Sequence, residues 1–213
     1  MKKTIFILAL LMYLSLPVTS QDNSGSNAEE ESIYHIVALE NFESSIYNNN
    51  NLEYMSAHYS KCRLGIADEF PSPENSSKKY LMLTLFGNQR DIATITPSAP
   101  IKISRYCKSI SLWAYGKNSP GIISIFLKDV SGQQHRLIMG QLDFSGWKKL
   151  TAIVPSHVAQ MDEYMNQQSF ISLNKITIHP GSKELAPRYI FIFIDDISAV
   201  VRSKYLQYDS KKW

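Results

Sequence analysis

The chain has 213 residues, of which 44% are hydrophobic and 19% charged, and its formal net charge is +3 at pH 7. That balance argues against nucleic acid as a partner, because phosphate binding needs clustered Lys and Arg. The length suits one domain with a real core, and is too small for two comfortable ones.

The N-terminus, MKKTIFILALLMYLSLPVTSQ, reads as a secretory signal peptide. Lys2 and Lys3 form the basic region, Ile5 to Leu16 the apolar run, and Val18 and Ser20 the small residues before the cut. The run is too short to span a membrane. Cleavage is expected after Ser20, with no cysteine there to carry a lipid. It removes two lysines, which lowers the formal charge from +3 to +1. Residues 21–32, QDNSGSNAEEES, read as a disordered acidic arm.

The folded domain is expected over 33–201. Ile33–Phe42 reads as a first strand, the asparagines 48–51 as loop, and His58–Ile66 as a weak strand before the Pro/Ser/Asn stretch 71–77. Tyr80–Phe86 and Asp91–Thr96 alternate as strands should, and Pro97 and Pro100 mark a turn. Along Ser109–Tyr115, Ile110, Leu112 and Ala114 share one face, and Trp113 and Tyr115 the other. Ile122–Val130 and His135–Leu142 form a hairpin across Ser131-Gly132-Gln133, and Ser145-Gly146 turns into Lys148–Val154. Ser156–Phe170 is the one helix-like stretch, with Val158, Met161 and Met165 at helical spacing. Leu173–His179 and Tyr189–Val201 close the set. Tyr189, Phe191 and Phe193 line one face of the last strand, and Ile190, Ile192 and Ile194 the other. Apolar residues on both faces imply a central strand, or one whose second face meets a partner. About ten strands and little helix predict an all-β, antiparallel two-sheet sandwich of jelly-roll type with one short helical crossover. Such a sandwich is like that of carbohydrate-binding modules. Residues 202–213 form a basic tail with Tyr205, Tyr208 and Trp213.

Chemistry is sparse. There is no G-x-S-x-G, no H-E-x-x-H and no Gly-rich phosphate loop, so no catalytic residue, cofactor or metal centre is expected. Asp195-Asp196 is a weak calcium candidate, or else an acidic strand end paired with Lys or Arg; strict alternation puts the two carboxylates on opposite faces. Cys62 and Cys107 form either a disulfide, as export permits, or two buried thiols. Trp113 and Tyr115 are either core residues or an aromatic platform for a sugar ring or a protein partner. Trp147 reads as core rather than as a third member of that platform. Asn75-Ser76-Ser77 matches an N-glycosylation acceptor.

Several of these motifs occur together and in order: SISLWAYG at 109–116, LKDVSGQQHRLIMGQLDFSGWKKL at 127–150, IVPS at 153–156, LNKITIHPG at 173–181 and YIFIFIDDISAV at 189–200. In them the chain resembles the spirochaete flagellar filament outer-layer (sheath) protein family, FlaA, over roughly residues 80–200. The resemblance implies an exported, non-enzymatic coat protein of periplasmic flagella. Core flagellins and other sheath proteins would be its partners, and filament shape, stiffness and motility its output. A carbohydrate-binding module is the alternative, and glycosylated flagellin would join the two. Exposed-aromatic logic makes Trp113, Tyr115, Tyr189, Phe191, Phe193 and Trp213 the interface or glycan candidates.

Overall fold

A computed structural model describes residues 33–55, 58–74, 77–88, 90–161, 170–180 and 187–203. The signal peptide, the acidic arm, Asn75, most of the helix-like stretch and nearly all of the tail with Trp213 lie outside these residues.

Among the described residues, twelve strands form two antiparallel sheets. The first sheet contains β3 (Arg63–Ala67), β4 (Tyr80–Gly87), β12 (Arg188–Arg202), β7 (Tyr106–Lys117) and β10 (Ser145–Ile153), hydrogen-bonded in that order. β1 (His35–Glu40) pairs with the second half of β12, along the edge that β4 occupies over the first half. The second sheet contains β2 (Leu52–Tyr54), β5 (Ala93–Ile95), β11 (Ile171–His179), β8 (Ile122–Lys128) and β9 (Gln134–Gln141), with β6 (Ile101–Ile103) following β5 along β11. The expected two-sheet sandwich is therefore the observed one, and β12 is central, as its two apolar faces imply.

Period-two alternation builds the core. Leu81, Leu83 and Leu85 of β4, Ile110, Leu112 and Ala114 of β7, and Ile192 and Ile194 of β12 face inward with almost no exposure. Ile123, Ile125 and Leu127 of β8, with Leu173 and Ile178 of β11, meet them from the other sheet. Each such Leu or Ile side chain contributes about 1.5–3 kcal/mol on burial.

Three local expectations change. The asparagine run is a short 3-10 turn rather than open loop: Asn48 accepts from Asn50 N at 2.8 Å, and Asn51 accepts from Asn48 N at 3.2 Å. The described start of the helix-like stretch is a turn, not a helix. Its Gln160 amide brackets the backbone of Cys107, accepting from Cys107 N at 2.8 Å and donating to Cys107 O at 2.9 Å, as a strand edge would. Val158 is buried there, but Met161 is 45% exposed, which breaks the helical stripe.

Cys62 and Cys107 are both free and buried. Cys107 opposes Val201 of β12, whereas Arg63, beside Cys62, sits opposite Thr84, which pairs with Phe191. Those two levels on β12 are on the order of 30 Å apart, and a bridge needs α-carbons within about 7 Å. The disulfide alternative is thus replaced by two thiols in the core. Burial pushes the Cys107 thiol up to about 12.

Candidate interaction surface

The outer face of the first sheet carries the aromatic residues that alternation turns away from the core. Met82, Phe193, Tyr115 and Trp147 are successive register partners across β4, β12, β7 and β10. Phe193 stacks on Tyr115 with centroids 5.0 Å apart, Tyr115 meets Trp147 edge-on at 5.6 Å, and Tyr80 closes the group 4.8 Å from Phe193. Toward one end of the face, Tyr189 packs 4.8 Å from Phe86 and 6.4 Å from Phe191. Toward the other end, Asp195, Trp113 and Lys149 form a polar row.

The connection between β3 and β4 crosses this face and divides it. Trp147 Nε1 donates to Phe70 O at 3.2 Å, and Trp113 Nε1 donates to Glu74 Oε1 at 3.0 Å. Lys149 Nζ also reaches Glu74, at 3.4 Å. The Trp113 bond and the Lys149 charge hold the Glu74 carboxyl below its usual range. Ser72 Oγ donates to Asp196 at 2.9 Å and Ser77 Oγ to Asp195 at 2.5 Å. Beneath this connection Tyr80 is 1% and Phe193 7% exposed, while Tyr189 and Phe191 stay 53% and 37% exposed.

The division sorts the sequence candidates. Trp113, Tyr115, Tyr189, Phe191 and Phe193 do share one face, but Phe193 is sealed under its neighbours and cannot meet a partner directly. Trp113 and Tyr115 are half-buried and engaged within the chain. Trp147 is not in the core between the sheets; it completes the outer aromatic row. Of these candidates, Tyr189 and Phe191 form the open part. Alternation along β4 (Tyr80, Met82, Thr84, Phe86) already carried the signal for Tyr80 and Phe86, which pattern reading of β7 and β12 alone missed.

Cations border the open part. Phe191 lies level with Thr84, which faces Arg63 on β3. Lys117 Nζ sits 5.0 Å from the Phe191 ring centre, and Lys61 Nζ sits 4.3 Å from that of Phe86. A pocket of about 140 Å³ opens between Lys117, Arg188, Tyr189 and Phe191.

Asp195 and Asp196 depart from the opposite-face expectation. The register slips between Asp195 and Ser198, and Asp196 takes a positive φ of 44°. The bulge interrupts alternation, so both carboxylates meet serines of the β3–β4 connection, Asp196 taking the Ser72 hydroxyl and Asp195 that of Ser77. Burial pushes both above the usual carboxylate range, and serine hydroxyls pull them partly back. Among the described residues no group of three or more His, Cys, Asp or Glu is arranged to hold a metal ion.

A second polar network sits in the β8–β9 turn. Asp129 Oδ1 accepts from Ser131 N, Ser131 Oγ and Gln133 N at 2.7–2.9 Å, and Oδ2 lies 2.7 Å from His135 Nε2. Burial alone would raise this carboxyl; the Ser131, His135 and Gln133 bonds overcome that and hold it at about 2. The Ser131 hydroxyl donates to the carboxylate rather than to the imidazole, so these three residues fix a turn and do not form a nucleophile relay.

Residues 100–209 match the sequence profile of the family described as flagellar filament outer layer protein FlaA. A flagellar filament outer layer-like protein of Brachyspira hyodysenteriae is 30% identical over 107 residues, covering 50% of this chain and 49% of that one. A flagellar filament outer layer protein of Spirochaeta aurantia is 30% identical over 102 residues, covering 44% of this chain and 30% of that one. The chain thus spans about half or less of the length of these relatives. Among solved structures, a family 11 carbohydrate-binding module of a Clostridium thermocellum cellulase aligns with a TM-score of 0.46 at 9% identity, covering 82% of this chain and 98% of that one.

Proposed function

This chain belongs to the flagellar filament outer layer family, FlaA, and from that premise we propose that it is a non-catalytic structural subunit of the outer layer of periplasmic flagellar filaments. It reaches the periplasm through the N-terminal signal peptide, which is cleaved. Core flagellins and other sheath proteins are its partners, and it contributes to filament shape, stiffness and motility.

The observation that supports a surface-driven role is the open end of the first sheet. Tyr189 and Phe191 project from the central strand of a rigid sheet and stay exposed, while Tyr80 and Phe193 on the same face are covered by the chain itself. Large aromatics and Arg are the side chains that dominate protein interfaces. The carbohydrate-binding alternative would use Trp113 and Tyr115 as a platform, and both are engaged internally by Glu74, Phe193 and Trp147. Electron microscopy of filaments from cells lacking this protein tests the proposal. Thinner or reshaped filaments with altered swimming are expected; filaments and swimming identical to those of the parent would count against it.

A further inference from the structure

We infer that the outer face of the second sheet holds a binding site for an anionic sugar, recognised through its carboxylate by Lys102 and Lys128. Both lysines are register partners of Ser172 on the central strand β11, one from β6 and one from β8. They therefore form a row, Lys102–Ser172–Lys128, across three adjacent strands. Both are exposed, and neither makes an ion pair with a described carboxylate.

The acid beside them in sequence, Asp129, is not their counter-ion. Its oxygens are taken by Ser131, Gln133 and His135. The row thus keeps two positive charges without an internal partner, beside a depression of about 530 Å³. That size falls in the range of small-molecule sites.

Three features favour a sugar acid over a bare anion. A register slip between Leu173 and Lys175 lets Asn174 line the same depression. Its Oδ1 accepts from Ser172 Oγ at 2.9 Å, which leaves the amide NH₂ to donate to a ligand hydroxyl. Phe170 and Pro100 supply an apolar wall. The backbone N–H groups of the neighbouring turn, which could otherwise cradle a phosphate, are spent within it: Ser131 N and Gln133 N go to Asp129 Oδ1, and Gly132 N goes to Asp129 O.

Calorimetric titration of the full chain with digalacturonate, with its neutral galactose counterpart and with inorganic phosphate tests the site. Saturable binding of digalacturonate is expected, with no binding of the neutral sugar and no competition by phosphate. K102Q or K128Q should each weaken it about tenfold, the loss of one charge-assisted hydrogen bond. The lysines are surface residues, so an unchanged urea midpoint shows that the variants still fold. Absence of saturable binding, binding that survives the K102Q/K128Q double variant, or equal competition by phosphate would each overturn the inference.

Discussion

The rings of Tyr115 and Phe193 stack with centroids 5.0 Å apart and planes 24° apart, on neighbouring strands whose α-carbons are register partners. Two residues along β12, Phe191 faces the same way yet lies open. Their substitutions should therefore part company. F193A removes a buried ring from the middle of an aromatic row and should cost about 3–5 kcal/mol. F191A and Y189A should stay within about 1 kcal/mol of the parent, yet weaken filament association. Urea unfolding and filament sedimentation of the three variants check this together. Equal destabilisation by all three would mean that the division of this face is wrong.

Gly116 marks where β7 runs closest to the segment leading into β10. A Cβ there would lie 2.6 Å from Phe144 O and 3.0 Å from Leu142 O, both backbone atoms that cannot swing aside. G116A should destabilise by about 2–3 kcal/mol, in the range of overpacking. G65A is the control, since nothing lies within 4 Å of the Cβ it would add. A thermal melt of each is enough, and equal melting temperatures would sink the close-approach argument.

Two carboxylates should give opposite pH signatures. Asp129 is held at about 2, below its ordinary 3.8. Its contribution is present above the ordinary value and is lost as pH falls toward 2. D129A should therefore cost about 2 kcal/mol at pH 7, and the difference from the parent should shrink in acid. Asp195 is raised by burial. Its contribution is full below its ordinary value of 3.8 and is lost as pH rises through its raised value. D195N keeps an acceptor for Ser77 without a buried charge, so at pH 7 it should be at least as stable as the parent. Stability curves from pH 2 to 8 distinguish the two, and parallel curves would refute both assignments.

The two cysteines should behave as core thiols. Without reductant, a thiol reagent should label neither in the folded protein and both once it is unfolded. A chain that resists labelling when unfolded would carry the bridge that the register excludes.

The inward and outward sets of β7 and β12 were legible because strict alternation over seven or more residues leaves few choices of face. The same rule misplaced the Asp195 and Asp196 carboxylates, since a bulge has no clear signature in one sequence. The three-residue strands β2 and β6 escaped notice because three residues carry no period. Trp147 looked like core because a tryptophan at a strand start gives no hint of which face it takes. What hides it is the β3–β4 connection, a Pro- and Ser-rich stretch whose path across the sheet depends on Glu74, Ser72 and Ser77 finding partners far away in sequence. That covering also set which of the five described aromatic candidates stay available to a partner.

The most direct test of the filament reading is fractionation of native cells into detergent-washed periplasmic filaments and soluble periplasm, for the parent and for the Y189A/F191A double variant. The parent protein should be recovered with the filaments in amounts comparable with the flagellins, and the folded double variant should shift to the soluble fraction. A parent protein found only in the soluble periplasm would contradict the coat assignment. A double variant that stays on the filaments would contradict the choice of face.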